Sequence, residues 1–151
     1  MIEGVRLKHL KVIPDERGRL MEILRRDDPE FLGFGQVYMT SIYPGVVKGW
    51  HFHRAQADHV TCVHGMIKLA LYDGRPASDT YGEINEHFVG EHRPLLVVIP
   101  AGVYHGWKCV SPNEAIVINT VTEPYHHAQP DEERLDAHDS PIPYDWARKD
   151  G

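Results

Sequence analysis

Cysteine is nearly absent: Cys62 and Cys109 are the two in a chain of 151 residues. From so low a count no disulfide framework can be inferred, and a reducing cytoplasm fits. No apolar run approaches a membrane span, since the longest lies around Leu95–Ile99. The first residues also lack the shape of a signal peptide. Excess positive charge is missing too. Sixteen Lys and Arg face 22 Asp and Glu, for a formal charge of −6. A general nucleic-acid binder needs clustered cations and is argued against; a small anionic ligand held by a few local cations is not. There is no internal repeat, no linker, and little helical periodicity before Asp131–Leu135. The expectation is one domain over 1–151, long enough to bury a real core.

What the chain does have is many short β-prone segments punctuated by Gly and Pro. Arg6–Ile13 reads as a first strand ended by Pro14-Asp15, and Leu20–Leu24 resumes after a charged turn at Asp15–Arg19. Asp27-Asp28-Pro29-Glu30 has the form of a cap and first turn of a brief helix. Further strands are expected at Gln36–Tyr43, around His51 and His53, and at His59–His64, Met66–Tyr72, Glu86–Val89, Leu95–Ile99, Tyr104–Val110 and Ala115–Thr122. This pattern favours an all-β sandwich or barrel of the jelly-roll kind, with short peripheral helices. The Pro- and Asp-rich tail from Asp136 to Gly151 is expected to wrap the surface, anchored by Trp146.

The chemistry concentrates in Val47–Gly65. His51 and His53 are two apart, so a strand projects both from one face. Asp58 and Gly65 follow, and far downstream Pro100–His105 offers a tight turn and another imidazole. His51, His53, Asp58 and His105 make a three-nitrogen, one-oxygen set suited to zinc, iron, nickel or manganese. The same groups could serve instead as acid and base on a bound substrate. A metal on His51 would prevent that ring from acting as a free base.

These residues resemble the cupin superfamily: Gly49, His51, His53, Asp58 and Gly65 fit its first motif, and Pro100, Gly102 and His105 its second. A narrower resemblance runs from Asp15 to Trp146, to the dTDP-4-dehydrorhamnose 3,5-epimerase group of cupins. It is carried by Asp15-Glu16-Arg17-Gly18, Lys48-Gly49-Trp50-His51, the run Asp73-x-Arg75-x-x-Ser78-x-Thr80-x-Gly82, Ile99–Trp107, Thr122–Tyr125 and the Asp139…Trp146 spacing. The resemblance implies a cupin-type barrel and an isomerase that epimerises a nucleotide-linked 4-keto-6-deoxyhexose in polysaccharide or deoxysugar biosynthesis. It implies a homodimer sharing its N-terminal segment, and no required cofactor.

Residue by residue, it places His51 as general base and Asp139 as the carboxylate that orients it. Arg17 falls on a diphosphate-binding arginine, Gln36 on a ligand-positioning glutamine, and Tyr125 on an aromatic beside the nucleotide. Lys48 stands for an arginine, keeping charge without bidentate geometry. His53 stands where glutamine is common, and Asn119 replaces the general-acid tyrosine. Tyr104 or Tyr38 would then supply the acid, or only a single centre is inverted. Arg75 is a further cation for the diphosphate or a structural ion pair, and His126, His127 and Asp131–Arg134 read as plain surface. Two rival readings are a metal-dependent cupin isomerase or dioxygenase, and a sugar-binding cupin without catalysis.

Overall fold

The computed structural model describes residues 1–151, and it contains strands and turns without a helix. The strands are β1 (Arg6–His9), β2 (Val12–Asp15), β3 (Gly18–Met21), β4 (Gln36–Ile42), β5 (Val47–Phe52), β6 (Asp58–His64), β7 (Met66–Asp73), β8 (Ile84–Gly90), β9 (Leu95–Ile99), β10 (Val103–Cys109), β11 (Ala115–Val121) and β12 (Glu133–Arg134). One antiparallel sheet runs β1-β9-β6-β11-β4 and a second runs β12-β5-β10-β7-β8, while β2 and β3 form a separate ribbon. No helix is long and apolar enough to cross a membrane.

The inner faces of the two five-stranded sheets share one core. β11 alternates, with Ala115, Val117, Asn119 and Val121 buried; β10 turns Val103, His105, Trp107 and Cys109 inward. Leu69, Leu71, Val60 and Val97 fill the space between them. Such side chains each gain about 1.5–3 kcal/mol on leaving water. Asn119 and His105 are therefore polar groups placed at core positions, which costs stability unless each finds partners. Both cysteines are buried and free.

A second cluster lies outside the sheet of β5. Trp50, fully buried, packs against Trp146 at 5.1 Å and Tyr144 at 5.7 Å between ring centroids, so the tail is anchored as expected. The two expected helices are absent. Asp28 accepts from the Arg25 N–H and from Lys8, which commits its side chain to tertiary contacts and leaves only turns. Glu133 and Arg134 add an edge strand to β5 instead of a helix, pairing with Phe52 and His51.

Asp73 explains the Asp-x-Arg-x-x-Ser-x-Thr run. Its fully buried carboxylate accepts from Arg75 Nε and Nη2 at 2.8 Å, Ser78 Oγ at 2.7 Å and Thr80 Oγ1 at 2.6 Å. Burial alone would raise its pKa, but the hydrogen bonds from Arg75, Thr80 and Ser78 outweigh it and hold the carboxyl well below the usual range. Arg75 is thus a structural ion pair that ties down the loop after β7, and it does not reach the cavity described next.

Candidate active site

Between the two sheets, at the end where β4 and β5 face each other, lies a cavity of about 760 Å³. β5 enters it through a bulge. His51 pairs with His105, yet Lys48 pairs with Trp107, so three steps on β5 span two on β10. Strict alternation would send residues 48 and 51 to opposite faces; the extra residue brings both to the cavity wall. The strands approach closely here because Gly49 and Gly106 meet backbone to backbone. A Cβ on Gly49 would stand 2.8 Å from the Gly106 Cα.

His51 Nδ1 lies 3.0 Å from Glu132 Oε1. β12 sets that contact: with Arg134 opposite His51, the residue two before it falls beside the imidazole. Arg134 Nη2 donates to both Glu132 oxygens, at 3.2 and 3.0 Å. Burial lowers the His51 pKa, and the hydrogen bond and charge of Glu132 partly oppose it. The ring is therefore neutral near pH 7, with Nδ1–H directed at the carboxylate and Nε2 carrying a lone pair. Asp139, the expected partner, is exposed and lies in a local turn capped by Asp136, whose Oδ1 accepts from the Asp139 backbone N–H at 2.8 Å. The edge strand fills the place beside His51 first.

On the opposite sheet Tyr38 and Asn119 are register partners on β4 and β11. Asn119 Nδ2 donates to Tyr38 Oη and to Asp58 Oδ1, each at 2.8 Å. Gln56 Nε2 donates to the same Asp58 oxygen at 3.0 Å. Burial first, then the Asp58 charge, pushes the Tyr38 phenol up to about 12, against the Asn119 hydrogen bond. The phenol keeps its proton at neutral pH, and its own O–H is free because its oxygen serves as acceptor to Asn119. Tyr104 falls out as an acid. It precedes the inward His105, so alternation turns it outward, onto Phe52 at 4.5 Å and Tyr72 at 6.2 Å.

Of the four ligand types expected to converge, three do. His53, Asp58 and His105 offer atoms within 4.8 Å of one another, and all three are buried. His51 stands outside that group, its ring stacked 5.9 Å from His105 and its Nδ1 taken by Glu132. Burial drives the His105 pKa down to about 4.

Around the rim, Gln36 accepts from the Tyr125 N–H, and both line the cavity. Lys48 also lines it, its Nζ donating to Thr40 Oγ1 at 2.8 Å and the Ser41 carbonyl at 2.7 Å. Arg17 does not. It sits on the β2–β3 ribbon, which pairs with neither main sheet; its side chain is 85% exposed and faces Asp15. Glu132, Arg134 and Trp107 are wall residues that inspection of the sequence passes over. The first two belong to the charge run read as plain surface.

A model of the family described as dTDP-4-dehydrorhamnose 3,5-epimerase matches residues 1–151. The chain belongs to that family. Family relatives cover it almost end to end. The spore coat polysaccharide biosynthesis protein SpsL of Bacillus subtilis is 37% identical over 97% of both chains. The probable low-salt glycan biosynthesis epimerase Agl13 of Haloferax volcanii is 39% identical over 96% of this chain and 94% of its own. Among solved structures, a dTDP sugar isomerase from Desulfovibrio desulfuricans superposes with a TM-score of 0.91 at 33% identity, covering 99% of this chain and 94% of its own. NovW of Streptomyces spheroides, a 4-keto-6-deoxy sugar epimerase, gives 0.87 at 27%, over 97% and 76%. The all-β cupin barrel and the carbohydrate-epimerase class follow for this epimerase-family chain.

Proposed function

We propose that the cavity inverts a carbon beside the ketone of a nucleotide-linked 4-keto-6-deoxyhexose, in the making of a surface polysaccharide or deoxysugar. The observation that carries this is the placement of a neutral imidazole and a protonated phenol on opposite sheets: His51 on β5 and Tyr38 on β4, both lining one cavity. An α-proton beside a ketone is removed by a base on one face, and inversion requires an acid on the other.

His51 Nε2 takes the proton, and Glu132 stabilises the imidazolium that results. The C–H electron pair moves into the enolate. Tyr38 O–H then delivers a proton to the opposite face, and solvent restores both groups. No electrons leave the substrate, so no redox cofactor is called for. Lys48 and Arg134 are the cations of the cavity wall, and they suit a diphosphate. Gln36 and Tyr125 stand at the rim for the nucleotide.

A homodimer completes this reading. The β2–β3 ribbon leaves Ile13 48% and Leu20 58% exposed with Arg17 at its turn, a surface suited to a second copy of the chain. Free, buried thiols fit a cytoplasmic enzyme. The test is isotopic. Nucleotide 4-ketosugars offered in D2O should acquire deuterium at C3 or C5, and His51→Asn should abolish the exchange while the melting curve is preserved. Absence of exchange with every such sugar refutes the proposal.

A further inference from the structure

Away from the barrel mouth, a second cavity of about 340 Å³ lies on the outer face of the sheet that carries His51. Ile67, Leu69 and Leu71 of β7 and Trp107 of β10 belong to the core, so alternation turns Lys68 and Lys108 outward. The two lysines are direct cross-strand partners, and Phe88 of β8 stands on the other side of Lys68. Like charges placed opposite each other on a sheet destabilise it. The tail holds them together all the same. Lys108 Nζ donates to the Trp146 carbonyl at 2.9 Å, while Lys68 Nζ donates to that oxygen at 3.4 Å and to the Ala147 carbonyl at 3.2 Å. Arg148 and Lys149 come next in the wall, so four cations line one cavity of a chain whose formal charge is −6.

No side chain of the protein neutralises this cluster. Arg148 pairs with Asp150 at 2.7 Å, but Lys68, Lys108 and Lys149 form no ion pair. Glu86, the one carboxylate of the wall, accepts from the Tyr144 O–H. Lys68 is 5% exposed, a depth at which ammonium groups are ordinarily paired. Of the six N–H groups on Lys68 and Lys108, three meet carbonyls and three meet no acceptor. Burial lowers the Lys68 pKa, and the Lys108 and Lys149 charges lower it further against Glu86. We infer that Lys68, Lys108 and Lys149 bind an anion of the phosphate class in this cavity, apart from the barrel mouth. Its oxygens would accept from both neighbouring ammonium groups and turn their cross-strand repulsion into a shared attraction. Phe88, 42% exposed, gives the same wall an apolar surface beside the cations, suited to an organic group carried by the phosphate. The inference does not rest on the epimerase reading.

The test uses the full chain carrying Lys48→Gln and Arg134→Gln, which removes the cations of the barrel mouth. It is titrated calorimetrically with inorganic pyrophosphate, and its melting temperature is followed alongside. Binding should saturate near one anion per chain and raise the melting temperature. Adding Lys68→Met or Lys108→Met should weaken binding at least about tenfold. Lys149→Gln, on the exposed tail, should weaken it roughly threefold with no effect on folding. Lys68→Met should melt no lower than its parent, because it removes an unpaired buried charge and the exposed Ala147 carbonyl can turn to water. Adenosine diphosphate is the second probe. Tighter binding than pyrophosphate, lost in Phe88→Ala, identifies an organic phosphate as the ligand; weaker binding identifies the free inorganic anion. No saturable binding of either probe overturns the site. So does binding that survives both Lys68→Met and Lys108→Met, or a melting shift that sodium chloride reproduces at equal ionic strength. No arm measures turnover, so the result is separate from that of the deuterium exchange.

Discussion

Tyr38 and Asn119 stand directly opposite each other on neighbouring strands, and the amide of Asn119 donates a 2.8 Å hydrogen bond to the phenol oxygen of Tyr38. The family resemblance places an acid tyrosine at position 119. Here an amide holds that position, and it orients the Tyr38 phenol one strand over. Exchanging the two side chains should therefore recover function that either single change removes. Tyr38→Asn leaves no phenol, and Asn119→Tyr forces two phenols together. The double variant should turn over at least about tenfold faster than Tyr38→Asn, a coupling that a double-mutant cycle on kcat reads directly.

The carboxylate behind the base is assigned by distance, and pH tests it. Glu132→Gln should lower kcat by roughly 10²-fold or more, because the imidazolium loses its counter-charge. The Glu132 charge raises the His51 pKa against the lowering by burial. Removing it drops that pKa further, so the acid limb of the kcat/KM profile should move to lower pH. Asp139→Asn should leave both the rate and the profile unchanged.

Asp73 predicts an acid-dependent stability. Its folded pKa lies below the unfolded value of about 3.9, so its contribution is fully present above that value and fades as pH falls toward the folded one. Asp73→Asn should cost about 3–5 kcal/mol near neutral pH, since it leaves Arg75 without its buried partner. Urea unfolding at a series of pH values should show the gap between wild type and variant narrowing between about pH 5 and pH 2.

Much of the barrel was legible. β9 announces itself as five apolar residues in a row, and it is buried on both faces. β11 alternates cleanly enough to place Asn119 inward, and the two-residue spacing of His51 and His53 puts both at the cavity. What the sequence hid depends on register. A two-residue edge strand such as β12 has no periodicity of its own, so nothing local could reveal that Glu132 would meet His51 across it. The bulge that brings Lys48 to the same wall as His51 is equally silent, because it is a property of two strands together. Asp139 drew attention through resemblance, and the nearer edge strand displaced it. Asp27–Glu30 carried a helix-start signature, but Asp28 was taken by Lys8 and by the backbone of Arg25.

The central claim is that base and acid act from opposite sheets, His51 removing the proton and Tyr38 returning one to the other face. Stereochemistry separates the two roles. In D2O, wild type should yield inverted product carrying deuterium, whereas Tyr38→Phe should still wash deuterium into the unreacted sugar through His51 but return it with retained configuration. Inversion by Tyr38→Phe at the wild-type rate would contradict the account.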